Sequence, residues 1–232
     1  MELMAHRGAS GLAPENTLAA FARCLEYAPQ WIELDVHASA DRAIIVMHDG
    51  TVDRTTNGSG AIGSLTLAEL KALDAGSWKG AEYAGEPVPT LEEVVALVGQ
   101  RVRLNVEIKG GPDLPFVAER VVAILREGGV LGQSMISSFD LSAVQAVQAL
   151  TDEPALALIT GNAADLAIAA EARLGWLNLA HPGVDADLMA AAHAAGLGVC
   201  AWTINDLSRW DEFAALGVDV LCTDNAHLAP RP

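Results

Sequence analysis

The sequence predicts an α/β fold, a single (β/α)8 barrel, on three observations. Short apolar runs alternate with amphipathic helical stretches along the chain, and this alternation predicts parallel strands covered by helices. A length of 232 residues suits one closed barrel. Apolar residues make up 51% of the chain, which is enough for one large core. We therefore expect residues 1–232 to form one domain.

Nine segments have the length and composition of strands: 3–6, 31–37, 43–48, 102–109, 134–139, 155–159, 176–179, 198–203 and 218–223. Because such a barrel has eight strands, one segment is predicted to be an extra element. Only about five residues separate the second and third segments, too few for a crossover helix. A tight turn near Ala40 and Asp41 would make an antiparallel hairpin with Glu33 across from His48. A sharp bend without pairing is the alternative.

Helices are predicted over 16–27, 66–72, 90–98, 115–127, 141–150, 163–172, 186–195 and 207–216. Asn16 is positioned to cap the first helix, and Thr90, followed by Glu93, has the pattern of a capping box. Residues 49–64 form the longest irregular segment. We interpret this segment as a small insertion after the third strand, and loops of this length more often have a function than not.

Composition excludes several classes of function. The net charge is −16, which disfavours nucleic acid and anionic membranes as partners. Cys24, Cys200 and Cys222 are far apart in the chain, which argues against a disulfide framework or structural zinc and favours buried thiols. The first residues do not resemble a signal peptide, and the apolar runs are far shorter than the ~20 residues of a membrane span. We expect a cytoplasmic protein, and the sequence does not indicate its oligomeric state.

The chemistry is expected at the carboxyl ends of the strands, where parallel barrels place their sites. Glu33 and Asp35 alternate along the second segment, and Glu107 and Lys109 along a later one, so each pair shares one face. The intervening residues are apolar and face the helices, so the acids point into the barrel. Convergent buried acids favour a hard cation, Mg²⁺ or Ca²⁺. The alternative is a layer of salt bridges to Arg7 and Lys109 without a metal.

Two histidines, His6 and His48, follow separate strand segments beside these acids. Histidine titrates near neutral pH, so one could serve as general base and the other as general acid. Arg7 and Lys109 are candidates for holding phosphate oxygens.

Three further candidates carry weaker signals. Trp202, at a strand end, would either form an apolar wall for substrate or pack in the core. Glu15 would either reach the site or cap the first helix. His37 shares the face of Glu33 and Asp35, but a direct role is less expected.

Five blocks of sequence resemble the signature blocks of the glycerophosphodiester phosphodiesterase family, and they occur in the family's order through most of the chain. They are AHRGASGLAPENTLAAF, IELDVHASAD, VMHDGTVDRTTNGSG, NVEIKG and AWTIND. The resemblance implies a TIM-type barrel and one divalent metal ion. The matching positions are Glu33, Asp35 and Glu107 for the metal, His6 and His48 for acid–base catalysis, Arg7 and Lys109 for phosphate, and Trp202 near the glycerol. The chain departs from the family near its end, where Val220 replaces a glycine and Asn225-Ala226 replace an aromatic residue and a proline.

The expected activity is metal-dependent hydrolysis of glycerophosphodiesters, such as glycerophosphocholine or glycerophosphoethanolamine, to glycerol 3-phosphate and an alcohol. One alternative is a lysophospholipase D-like phosphodiesterase; another is a barrel that binds phosphate ligands without catalysis. The sequence leaves four points open. They are the preferred alcohol, the choice between Mg²⁺ and Ca²⁺, the role of each histidine, and whether water attacks directly or the reaction passes through a cyclic phosphate.

Overall fold

A computed structural model describes residues 1–111 and 113–229. Within these ranges it has nine strands and eight α-helices, with several short 3₁₀ turns. The strands are β1 (Glu2–Ala5), β2 (Trp31–Ala38), β3 (Ile44–Val46), β4 (Arg103–Ile108), β5 (Met135–Ser138), β6 (Ala155–Thr160), β7 (Trp176–Ala180), β8 (Gly198–Trp202) and β9 (Val220–Thr223).

All strands except β3 pair in parallel and close into a ring in the order β1-β2-β4-β5-β6-β7-β8-β9. The predicted barrel is thereby confirmed, and β3 is the extra strand. It forms the antiparallel hairpin with β2, pairing Val36 with Val46. The predicted alignment of Glu33 with His48 was wrong. The turn is closed by a hydrogen bond from Ser39 N–H to Ala43 O (2.9 Å), and this shifts the register by one residue.

The helices are α1 (Leu18–Leu25), α2 (Leu67–Lys71), α3 (Leu91–Val98), α4 (Leu114–Glu127), α5 (Leu141–Gln148), α6 (Leu166–Glu171), α7 (Ala186–Ala194) and α8 (Trp210–Ala215). The capping box of Thr90 and Glu93 is present at α3. Asn16 does not cap α1; Thr17 does, accepting a hydrogen bond from Ala20 N–H. Asn16 has a positive φ of 56°, which turns its side chain toward the barrel. None of the helices in the described ranges is both long and apolar enough to cross a bilayer.

Two packed layers support the site. The apolar faces of the strands pack against the helices in one large core, as the alternation of polar and apolar residues predicts. Inside the barrel, a smaller apolar cluster includes Met4, Met135, Cys200 and Cys222. The cysteines are buried and free, as expected. This cluster makes part of the barrel interior apolar.

The segment between β3 and α3 has a small core of its own. Val52, Ile62, Leu70 and Val88 pack with Ile45 of β3. The segment is tied to the loop before α1 by hydrogen bonds from Lys79 Nζ to Ser10 O (2.7 Å) and from Tyr83 Oη to Leu12 O (3.1 Å). These contacts hold the segment beside the mouth of the barrel.

Candidate active site

A cluster of carboxylates lies inside the barrel near its mouth. Glu33 and Asp35 project from the inner face of β2, and Glu107 from the adjacent strand β4, where it pairs in register with Asp35. All of these residues are buried. Each offers an oxygen within 4.8 Å of the others. The acids predicted as metal ligands are therefore brought together.

Two cations lie against this cluster. Lys109 Nζ is 2.8 Å from Asp35 Oδ1 and also contacts Glu107. Arg7 Nε lies 3.5 Å from Asp35 Oδ2, and the Arg7 backbone N–H donates to Glu33 Oε2 at 2.9 Å. The predicted salt-bridge layer and the predicted carboxylate cluster thus occur together.

The two cations do not neutralise every acid. Burial and the charges of Asp35 and Glu107 raise the pKa of Glu33 well above its ordinary value. Burial and the charge of Asp35 raise the pKa of Glu107 to about 7. Burial would raise the pKa of Asp35 as well, but Lys109 and Arg7 lower it to about 2. The unrelieved negative charge and the all-oxygen donor set fit a hard divalent cation such as Mg²⁺ or Ca²⁺.

Each candidate catalytic histidine is hydrogen-bonded to an aspartate. His6 follows β1, and its Nδ1 lies 2.7 Å from Asp224 Oδ1, beyond the end of β9. Ser10 Oγ donates to the same oxygen at 3.0 Å. This contact leaves His6 Nε2 on the side of the carboxylates, 3.9 Å from Glu33 Oε2.

His48 follows β3, and its Nδ1 lies 2.7 Å from Asp49 Oδ1. Burial lowers the pKa of His48, while Asp35 and Asp49 act in the opposite direction. His37 lies behind it, with Nε2 3.2 Å from the backbone carbonyl of His48. A neutral histidine whose Nδ1–H donates to an aspartate can accept a proton at Nε2, and its protonated form can deliver a proton from the same atom. His37 contacts the loop of His48, not the carboxylates.

The side chain of Arg7 is held from outside the barrel. Arg7 Nη1 donates to Glu15 Oε1 at 2.7 Å. Glu15 in turn accepts from Arg54 Nη1 at 3.0 Å and Nη2 at 2.8 Å. Burial opposes the charge of Glu15, but hydrogen bonds from Arg54 and the charge of Arg7 lower its pKa. Of the two roles expected for Glu15, the structure supports contact with the site and not helix capping.

Two aromatic side chains, Trp202 and Phe139, lie together at the mouth of the barrel. The rings of Trp202 and Phe139 meet edge to face with centroids 5.7 Å apart. Trp202 Nε1 donates to Asn178 O at 3.0 Å, and Phe139 is 54% exposed. Both aromatic residues line one cavity with His6, His48, Arg7, Lys109, Glu33 and Glu107. Trp202 therefore lines the cavity and also packs against the apolar cluster inside the barrel.

Four further polar residues contact this site and were not predicted as members of it from the sequence. Asn16 donates to Asp35 Oδ2 at 2.8 Å, and Asp49, Asp224 and Arg54 form the contacts described above. Asp49 follows His48 directly and Asp224 follows a strand, so strand-end position was an available signal. Arg54 lies within the long irregular segment, and its spacing from the other site residues gives no indication of contact.

The sequence and the fold of the chain are similar to those of known proteins. Residues 6–228 match the Glycerophosphoryl diester phosphodiesterase family. The chain belongs to this family. A glycerophosphodiester phosphodiesterase of Caldanaerobacter subterraneus subsp. tengcongensis is 35% identical over 96% of the chain and 93% of that protein. A phosphodiesterase of Oleispira antarctica, solved with sn-glycerol-3-phosphate, superposes with a TM-score of 0.91 at 34% identity over 97% of the chain and 93% of its own.

A further solved member of the family, the glycerophosphodiester phosphodiesterase of Agrobacterium tumefaciens, is 30% identical and has a TM-score of 0.84 over 97% of the chain and 96% of its own. These relatives match nearly the full length of the chain, so the similarity covers the whole barrel and the segment beside it. The protein is accordingly a phosphoric diester hydrolase.

Proposed function

We propose that the protein hydrolyses glycerophosphodiesters to glycerol 3-phosphate and an alcohol, with His6 and His48 as the acid–base pair and one divalent cation as cofactor. The observation that carries the proposal is the pair of histidine–aspartate contacts, His6–Asp224 and His48–Asp49, beside one carboxylate cluster. The Oleispira antarctica relative, solved with the product sn-glycerol-3-phosphate, supports this product.

Two cationic side chains, Arg7 and Lys109, bind the phosphate. Arg7 and Lys109 line the cavity and are the candidates for its non-bridging oxygens, Arg7 by a planar fork and Lys109 as a point charge. Glu33, Asp35 and Glu107 would hold the cation. When bound, a divalent cation supplies Lewis-acid neutralisation of the charge that develops on the phosphate.

The histidines move protons at their Nε2 atoms, since Nδ1 of each is engaged by an aspartate. One histidine removes the proton from the attacking hydroxyl, which is water or the free hydroxyl of the glycerol. Attack by the glycerol hydroxyl gives a cyclic phosphate, which water then opens to glycerol 3-phosphate. The other donates a proton to the oxygen of the departing alcohol, so that the alcohol leaves as a neutral molecule. Asp49 favours the protonated form of His48, and Asp49 and Asp224 each orient the histidine ring that they contact.

The remaining predicted residues position the substrate. Trp202, with Phe139 against it, packs on the carbon atoms of the glycerol. Glu15 acts through Arg7, which it holds at 2.7 Å. This arrangement keeps the guanidinium oriented without a direct bond from Glu15 to the phosphate.

The test is release of glycerol 3-phosphate from glycerophosphocholine and glycerophosphoinositol after EDTA treatment and again after Mg²⁺ or Ca²⁺ is restored. We expect release to stop with EDTA and to return with at least one ion. His6→Ala and His48→Ala should each lower kcat by roughly 10²–10⁴-fold. Wild-type turnover in either variant would remove that histidine from the mechanism, and full activity in EDTA would remove the metal.

A lysophospholipid is the second candidate substrate, and the exposed ring of Phe139 favours it. An acyl chain on the glycerol would extend past this ring out of the cavity. Turnover of lysophosphatidylcholine should then exceed that of glycerophosphocholine, and Phe139→Ser should lower the first more than the second. A higher rate on glycerophosphocholine, unchanged in its ratio by this substitution, would exclude the lysophospholipid.

A further inference from the structure

A second cavity adjoins the catalytic one across His6 and Arg7. The catalytic cavity has a volume of about 100 Å³, and the second, which we term the outer cavity, about 390 Å³. Its other walls include Trp78 and Lys79 from the segment after β3, and Asn205 and Asn225 from the loops after β8 and β9. A phosphodiester carries two ester arms, and the catalytic cavity is too small to enclose both.

The position of the outer cavity suits the departing arm. Both cavities contain His6 and Arg7, so an alcohol in the outer cavity has its ester oxygen within reach of a catalytic histidine and a phosphate-binding guanidinium. Another cavity of about 380 Å³ shares only Lys109 with the catalytic cavity and is lined by neither His6 nor His48. An alcohol arm there would lie away from both proton-transfer groups.

The charges of the outer cavity disfavour a cationic alcohol. Its carboxylates already have partners, because Asp224 is bonded to His6, Ser10 and Asn205 and Glu15 is bonded to two arginines. Lys79 Nζ lies 5.9 Å from the centroid of the Trp78 ring. A quaternary ammonium group would therefore meet Lys79 and Arg7, find no unpaired carboxylate, and compete with Lys79 for the ring.

Neutral hydroxyl groups fit this lining. Trp78 is 42% exposed and offers an aromatic surface for the C–H groups of a polyol. The side-chain amides of Asn205 and Asn225 also line the cavity. Asn205 is already bonded to Asp224 and Thr223. Asn225 donates to Asn205 O, and its amide oxygen can accept from a hydroxyl group. We propose that the outer cavity binds the alcohol arm of the diester and favours a neutral polyhydroxylated alcohol, such as glycerol or inositol, over choline. This inference rests on the proposed function.

The test compares kcat/KM for glycerophosphoinositol, glycerophosphocholine and glycerophosphoethanol, whose ethyl arm has no further hydroxyl. We expect the wild-type protein to favour the inositol ester over the choline ester by roughly 10-fold or more. Trp78→Ala should lower the ratio of the inositol ester to the ethyl ester by roughly 10-fold, and Trp78→Phe should restore most of it. Lys79→Gln should raise the ratio of the choline ester to the ethyl ester. Leu150→Ala, an exposed apolar residue beyond α5, is the control and should leave the ratios unchanged.

A wild-type preference for the choline ester would overturn the inference while leaving the proposed function in place. Equal losses on all substrates in Trp78→Ala, with an unchanged ratio, would also overturn it, because a purely structural role of Trp78 has that result. Failure to hydrolyse any of the esters with either metal ion would instead remove the proposed function and the subsite with it.

Discussion

Arg54 holds Asp49 with two hydrogen bonds, from Nε at 2.7 Å and from Nη2 at 3.0 Å. The same guanidinium contacts both oxygens of Glu15. Because Asp49 is bonded to His48 and Glu15 to Arg7, one residue outside the barrel connects a proton-transfer group with a phosphate-binding group. The contact with Arg54 also lowers the pKa of Asp49, so this carboxylate stays ionised across the neutral range.

We predict that Arg54→Ala lowers kcat by roughly 10-fold or more, because small losses of orientation in supporting residues have effects of this size. Arg54→Lys should recover part of the loss, since a lysine replaces the charge but not the planar fork. Steady-state kinetics on glycerophosphocholine measures both. Arg126→Ala removes an exposed ion pair with Glu153 on the helical surface and should leave kcat unchanged. Equal kinetics for Arg54→Ala and Arg126→Ala would contradict the role of Arg54.

We predict that Asp49→Asn lowers kcat by roughly 10–10³-fold with a smaller change in KM. The negative charge of Asp49 favours protonated His48, so its removal lowers the pKa of His48. The limb of the pH–rate profile that reports this group should therefore move to lower pH. An unchanged profile with reduced kcat would mean that Asp49 acts on the fold of the loop and not on the histidine.

A substrate with a better leaving group distinguishes the roles of His6 and His48. A p-nitrophenolate departs readily without a proton, so the histidine that protonates the alcohol becomes dispensable for a p-nitrophenyl ester of glycerol phosphate. We expect one of His6→Ala and His48→Ala to recover most activity on this ester, and the other to stay inactive on both esters. Equal losses for both variants on both substrates would contradict a division into acid and base.

The stability of the metal-free protein should depend on pH through Glu107. Its pKa is raised from 4.5 to about 7 in the folded state, so the folded protein binds this proton more tightly than the unfolded chain does. The stabilising contribution is complete below about pH 4.5 and is lost as the pH rises toward 7. At about 1.4 kcal/mol per unit of pKa, the free energy of unfolding should fall by on the order of 2–3 kcal/mol over this window.

Thermal unfolding in EDTA measures this loss. We expect Tm to fall between pH 5 and pH 7 and Glu107→Gln to remove part of the fall, because the raised pKa of Glu33 contributes to the same fall. Glu119→Gln on the exposed face of α4 should leave the fall unchanged. Mg²⁺ or Ca²⁺ should raise Tm more at pH 7.5 than at pH 5, since the cation competes with protons for the carboxylates. A Tm that does not change between pH 5 and 7 in EDTA would contradict the shifted pKa of Glu107.

Much of the site was predictable because it depends on local rules. Glu33 and Asp35 lie on the inner face of β2 because side chains alternate along a strand, and His6, Lys109 and Trp202 lie at the mouth because parallel strands share a direction. The hairpin of β2 and β3 followed from the shortness of their connection. The register of this hairpin did not follow from the sequence. The number of residues in the turn depends on backbone conformation at positions such as Arg42, whose φ is 68°.

Sequence alone determined the fold class, the inward-facing acids and the histidines at the strand ends, since periodicity and strand direction act over a few residues. Only the tertiary structure decided which partners these groups have. Asp224 reaches His6 across 218 positions of the chain, and Arg54 reaches Glu15 across 39. Such contacts result from closure of the barrel and from packing of the segment after β3 against its mouth, and no local pattern encodes them.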